Sequence, residues 1–478
     1  MFKTISIVSF NYVRQILIYV LWAIFVCSLS ILLATKIEPL FILLGIFFFI
    51  LGFLLSLVGN TSLIIGNAIL LLIPIELQSY CMNISFLNRT GKVNFHILLF
   101  YFLGILMQKA PNVGHVILKF PYLKKVFALV LCSIILEVSL EVTGIRGSGI
   151  SNYVFDVYIT PFFLFCSTIL TIRRGKDLHK VVDGLIFVLL LVGLLGIIEQ
   201  ITKDGIFLYK NAYIQGTDWY NHMLQSMEFT KSYRNTTTLG HFLVNATYFL
   251  FGSLLAIIRF INSRRIIYFF PLGVFLYNLI FTGSRAALFI LVLCIGLIFF
   301  KYIQIRKRAF IIILAVLLLL GIALKEQIVY LFVLKPLNSS DGSLMVRILS
   351  IQMFFYGKVL FSLLGTGPYT ATVIKNGDFL GSNFEIGWLI SIIELGIPVF
   401  TLYFSSIVIL IKHCFGGITK NIYLLPMVAI ALMFATFNSF GDRSTINNVF
   451  WLSLSFMVVA SLEDKLSVNK IHQTEANE

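Results

Sequence analysis

Charge is what this sequence has least of. Asp, Glu, Lys and Arg together make up 12% of its 478 residues, about half of the roughly 25% carried by soluble globular domains. That scarcity excludes a chain that wraps its core in a water-facing surface. The 6 cysteines, Cys27, Cys81, Cys132, Cys166, Cys294 and Cys414, lie mostly inside apolar runs and show no paired spacing, so neither a disulfide framework nor a zinc site is expected. No acidic cluster of the Asp-x-Asp kind occurs to hold a divalent cation. The first apolar run follows Lys3 and Arg14 without a small-residue cleavage site, which makes it a retained first helix.

What fills the sequence instead is hydrophobic, at 59% of positions. An apolar run of about 20 residues crosses a bilayer as a helix because every backbone N–H and C=O is then satisfied within the segment. About fourteen such runs are predicted, centred near Phe25, Ile46, Leu70, Leu99, Leu131, Leu164, Val192, Leu250, Phe275, Val292, Leu317, Ile393, Ile430 and Phe456. The expected fold is therefore an all-α, polytopic integral membrane protein.

Basic loops set the orientation, because Lys and Arg are retained on the cytoplasmic side. The stretches Arg173 to Lys180, Arg259 to Arg265 and Lys301 to Arg308 are expected there, together with both termini. This arrangement puts about 21 of the 36 Lys and Arg inside, but only about 6 of the 21 acidic residues. The net charge of +15 is thus a topology signal, and nucleic acid is not the partner it implies. The chain divides into N-terminal transmembrane helices (1–201), an extracytoplasmic loop (202–237), transmembrane helices around Arg285 (238–324), a large extracytoplasmic loop (325–382), and C-terminal transmembrane helices with a short cytoplasmic tail (383–478). Loops of such length in a tightly connected bundle are usually functional or disordered, and these two are not of low complexity, which favours function. The second is expected to hold an amphipathic helix at about 344–359.

On the outer side, where positive charge is disfavoured, stand Arg234, Arg285, Arg347 and Arg443. Arg285 follows a Gly-Ser turn and is expected on the first turn of a hydrophobic helix. An ionised group there needs a partner. A diphosphate would serve, since guanidinium binds phosphate oxygens bidentately and stays charged. The alternatives are snorkelling to the headgroups and structural pairing with Asp218, Asp341 or Asp442.

The order of these features carries a resemblance. TGSRAALF at the head of a span is followed by Arg347 and a polar-aromatic helix, then by Gly365-Thr366-Gly367-Pro368, then by EIGWLISIIELGIPVF opening the next span. Across about residues 230–411 this resembles the O-antigen polymerase and ligase superfamily of bacterial surface polysaccharide assembly. The resemblance implies a GT-C-like membrane glycosyltransferase of the Wzy type in the inner membrane, its site facing the exterior. Such an enzyme moves a growing glycan from undecaprenyl diphosphate to a sugar hydroxyl of the next lipid-linked unit. No cofactor is implied; the partners are the undecaprenyl-diphosphate-linked oligosaccharide, the bilayer and a chain-length regulator protein.

The resemblance also implies that Arg285, Arg347 and Arg234 hold the diphosphate. Ligases of the superfamily carry a His-Asn pair nine residues ahead of Gly-x-x-Gly. Counting back from Gly396 puts Glu385 at the His position with Ile386 after it, and Val399 stands where the second Gly would be. Glu385 is the expected base for the attacking hydroxyl; its alternative is a solvated carboxylate favoured by a helix dipole. His241, Asn383, Tyr369 and Arg443 are secondary candidates. Glu394, about two and a half turns past Glu385, is expected to point the other way and to pair within the bundle. Two other readings are a lipid-linked oligosaccharide flippase or transporter, which the lack of an internal repeat weakens, and an O-antigen ligase.

Overall fold

The computed structural model describes residues 38–72, 93–145, 158–172, 175–202, 237–239, 242–298, 351–352, 354, 362–367, 386–414, 421–436 and 446–461. The helices are α1 (Glu38–Leu57), α2 (Thr61–Leu72), α3 (Val93–Lys109), α4 (Val113–Lys119), α5 (Tyr122–Val142), α6 (Thr160–Thr171), α7 (Gly175–Thr202), α8 (Phe242–Ser263) and α9 (Phe269–Phe281). They continue with α10 (Arg285–Ile298), α11 (Gly387–Cys414), α12 (Leu424–Thr436) and α13 (Ile446–Ser461). No strand occurs among the described residues. Every expected span centre within them lies inside a helix; Phe25 and Leu317 fall outside the described residues. The protein is an all-α membrane protein, in which α7, α8 and α11 are long and apolar enough to cross a bilayer. Most of both long loops lies outside the described residues, although Ile351, Gln352 and Phe354 are helical as expected.

A helix that is apolar on all sides has to be enclosed by others. Two of the described helices are enclosed in this way, polar side chains included. Every residue of α8 from Val244 to Ile261 is buried, as is every residue of α13 from Ile446 to Val459. Their rings touch where Phe251 stacks on Phe456. Peripheral helices instead turn large side chains outward, such as Ile46 and Leu57 of α1 and Phe289 and Val292 of α10. In a bilayer these faces meet lipid.

Contacts along the helices fix their relative direction. Phe251 and Phe456 lie about ten residues into α8 and α13, while α11 touches α13 first through Tyr403 and Trp451 and later through Cys414 and Ser461. Tyr423 reaches both His179 near the start of α7 and Phe456 in the second half of α13, and Arg259 near the end of α8 meets Asp183 near the start of α7, so the second part of α11, α13 and α8 run the same way. Their ends carry Lys412 and His413 on α11 and Arg259 to Arg265 on and beyond α8. The same end is locked by charge: Arg259, which is 8% exposed, donates Nε and Nη2 to the two carboxylate oxygens of Asp183 on α7 at 2.6 and 2.8 Å. The Tyr268 hydroxyl donates to Asp183 Oδ1 at 2.8 Å, and its ring lies beneath the guanidinium.

Between α1 and α3 there is no room for side chains. A Cβ on Gly52 would stand 2.1 Å from the Tyr101 carbonyl oxygen, and one on Gly104 would stand 2.1 Å from that of Phe49. Each helix thus offers a glycine to the other's backbone. Apolar side chains gain little by leaving lipid for a bundle, so close backbone packing of this kind is what drives association in a membrane. Replacing Gly104 with Val is expected to destabilise the protein by about 1–3 kcal/mol or more, read as a lower melting temperature in detergent, whereas Gly114→Ala, where nothing stands within 4 Å of the added Cβ, leaves it unchanged.

Candidate functional site

The end of the bundle opposite the basic locks is built from polar side chains that the helices bury. The C-terminal part of α7, the start of α8 and the end of α9 meet there around the short 3-10 turn Thr237–Leu239. Thr237 adopts φ 44°, a left-handed conformation that β-branched residues rarely take. Its neighbours hold it in place: the N–H of Thr237 donates to Glu199 Oε2 at 3.0 Å, and its hydroxyl donates to Asn245 Oδ1. Thr238 donates its hydroxyl to the Leu71 carbonyl at 2.6 Å. Asn278 donates Nδ2 to the carbonyls of Gly193 and Val274 at 2.9 and 2.8 Å, sewing α9 to α7. Gly196 makes the space, since a Cβ there would lie 2.0 Å from Asn278 Oδ1. Glu199, Thr237, Asn245 and Asn278 are all buried.

One turn beyond Asn278 the chain reverses. The N–H of Thr282 donates to the Asn278 carbonyl, Gly283 takes φ 69°, and Ser284 caps the next helix by accepting from the N–H of Ala287 at 3.3 Å. Arg285 is then the first residue of α10 and half-buried, as the Gly-Ser spacing leads one to expect. Among the expected site residues it is the one that the described residues include. Glu385, Arg347, Arg234, His241, Asn383, Tyr369 and Arg443 lie outside them.

The feature that sequence reasoning missed is a break in α11. Gly396 has φ 72° and ψ 167° in mid-helix, with Pro398 two residues on. The rings of Trp388 and Phe404 are 5.7 Å apart, yet a straight helix would separate positions 388 and 404 by about 24 Å (16 residues at about 1.5 Å each). The two arms, 387–395 and 397–414, therefore fold toward each other. Pro398 falls in the first turn of the second arm, where its missing N–H leaves no bond unmade.

The segment 362–367 closes this break. The N–H of Thr366 donates to the Ile393 carbonyl at 3.0 Å, that of Gly367 to the Glu394 carbonyl at 3.2 Å, and that of Ile397 to the Leu363 carbonyl at 2.9 Å. The Thr366 hydroxyl adds a bond to Ile393 O at 3.1 Å. The last carbonyls of one arm and the first amide of the other are thus satisfied by one loop. Two glycines permit it: a Cβ on Gly365 (φ 90°) would be 2.4 Å from Glu394 O, and one on Gly396 would be 2.3 Å from Gly365 N. The Gly365-Thr366-Gly367 and Glu394-Leu395-Gly396 segments of the sequence are two halves of one clasp.

The first arm is fixed at its other end as well. Trp388 donates Nε1 to the Ala431 carbonyl at 3.3 Å and packs against Phe434 and Phe450, while a Cβ on Gly387 would meet Phe434 O at 2.6 Å. The first helical bond runs from the N–H of Ile390 to the carbonyl of Ile386, so Glu385 comes immediately ahead of a short, doubly anchored arm. Glu394 is fully buried beside the break. Because the second arm, α13 and α8 are parallel, the break lies at the same end as the Thr237 cluster and Arg285. On the start of α13, Asn448 is buried and neither carboxamide atom has a hydrogen-bond partner among the described residues. A free donor and acceptor on one planar group suit a ligand hydroxyl.

Among the described residues no group of 3 or more His, Cys, Asp or Glu is placed to hold a metal ion. Gly396→Ala is expected to undo the clasp, raising amide hydrogen exchange at Thr366, Gly367 and Ile397 by about tenfold or more while α8 is unaffected; three bonds of about 1 kcal/mol each are at stake. No protein-family model and no curated protein matches this chain.

Proposed function

We propose that the protein is a polymerase of lipid-linked oligosaccharide repeat units, a glycosyltransferase of the Wzy type in the bacterial inner membrane. It has about fourteen spans in a GT-C-like arrangement, both termini in the cytoplasm, and a site open to the exterior. The observation that carries this reading is the clasp, because the two segments that prompted the resemblance bind each other through their backbones. That contact ties the loop that carries Arg347 to the arm that follows Glu385, at the end of the bundle where α10 begins with Arg285.

The reaction needs little beyond these groups. A hydroxyl of the acceptor sugar attacks the anomeric carbon of the growing glycan, Glu385 takes the hydroxyl proton, and the bond from that carbon to the diphosphate oxygen breaks. Undecaprenyl diphosphate leaves with the electron pair. It is a good leaving group already, so fixed positive charge from Arg285, Arg347 and Arg234 suffices where negative charge grows.

A broken helix is also a device of transporters, which place ion and substrate sites at such discontinuities. A flippase is therefore the second reading, and an O-antigen ligase the third. Detergent-purified protein given a lipid-linked repeat unit, with no nucleotide or added acceptor, separates them: longer oligomers and released undecaprenyl diphosphate in the mass spectrum are expected, and their absence would sink the polymerase. In the same assay Arg285→Ala is expected to lower the rate by about 100-fold or more, and Glu385→Gln by about 100-fold or more with lipid-linked substrate still bound.

A further inference from the structure

The basic end of the bundle holds a second feature that the proposed reaction does not use. An open-sided apolar cleft lies between α3, α4, α5 and α6. Leu106, Val116, Ile117, Phe127, Phe163 and Cys166 contribute to its lining, and no lining side chain carries nitrogen or oxygen. Within an apolar bundle, such a slot fits a hydrocarbon chain.

The segment 93–136, which supplies three of its walls, carries charge of one sign. From Val93 to Leu136 the sequence contains no Asp or Glu, but it contains Lys109, Lys119, Lys124 and Lys125. Each lies within about one turn of a lining residue: Lys109 follows Leu106, Lys119 follows Val116 and Ile117, and Lys124 and Lys125 precede Phe127. Lys119, Lys124 and Lys125 are exposed. Tyr122, between them, stacks on His413 at 4.6 Å, which puts the cluster at the end where the other basic residues gather. An apolar slot with Lys119, Lys124 and Lys125 exposed beside it is the complement of an amphiphile with an anionic head.

We propose that this cleft binds one acyl chain of an anionic phospholipid from the leaflet at the basic end, with Lys119, Lys124 and Lys125 receiving its phosphate headgroup. This is independent of the glycosyltransferase reading. The complementarity in charge selects the lipid: a zwitterionic head brings its own cation to a rim that already holds several, whereas a phosphatidylglycerol-like head does not.

Photo-crosslinking of the full chain in nanodiscs tests it, with phosphatidylglycerol or phosphatidylcholine carrying a diazirine on one acyl chain. The anionic probe is expected to label peptides spanning 106–127 and 160–171 above the lipid-facing surface of α10, and to do so much more than the zwitterionic probe. Each substitution in the exposed series Lys119→Gln, Lys124→Gln and Lys125→Gln is expected to reduce that labelling by about fivefold. Val116→Trp, which fills the slot, is expected to remove it while labelling of α10 persists. Equal labelling by the two probes, or labelling no stronger than on α10, would overturn the proposal.

Discussion

Backbone that leaves helical geometry inside an apolar bundle has to find new hydrogen-bond partners, and the arrangement around Gly396 follows from that requirement. Each buried amide or carbonyl left unpaired would cost about 1–3 kcal/mol, and the break exposes several at once. The segment 362–367 meets the need with Leu363 O, Thr366 N and Gly367 N. It can approach closely enough because neither Gly365 nor Gly396 carries a Cβ, and both take positive φ. The two glycines act as one unit: a side chain on either would push the two backbones apart and unpair both sides.

The two ends of the bundle are held by different physics. At the basic end, charges pair across helices, as Arg259 does with Asp183, and exposed lysines face the surface. At the opposite end the helices are joined by amides, hydroxyls, backbone groups and one carboxylate: Asn278 to Gly193, Thr237 to Glu199 and Asn245, Thr366 to Ile393. Arg285 opens α10 at that second end, half-buried.

Much of the architecture could be read from hydropathy, because a lipid-facing or enclosed helix must be apolar over its whole length and the expected centres mark such runs. The Arg285 turn was legible for a local reason: Gly supplies the positive φ and Ser the cap, within three residues. The polar cluster was not, since Glu199, Thr237, Asn245 and Asn278 come from three helices and a turn and carry no shared spacing. Glu394 was expected to pair within the bundle on the face away from Glu385; it is fully buried, and its carbonyl is part of the clasp. The break itself had a signal in Gly396-Ile397-Pro398, two helix breakers inside an apolar run. Treating that run as one span concealed it.

The lengths give the break its meaning. As a continuous helix, the 28 residues of α11 would extend about 42 Å, well beyond a hydrocarbon core of about 30 Å. The second arm alone, 397–414, is 18 residues (414 − 397 + 1) and about 27 Å long, a close match to that core. Without the break, Gly387 would stand about 15 Å above Ile397 (10 residues at about 1.5 Å). Folding the first arm back so that Trp388 reaches Phe404 and Ala431 brings its head down against α12 and α13. The arm from Gly387 to Leu395 is thereby held against α12 and α13 at the end where Arg285 opens α10, instead of projecting beyond the hydrocarbon core.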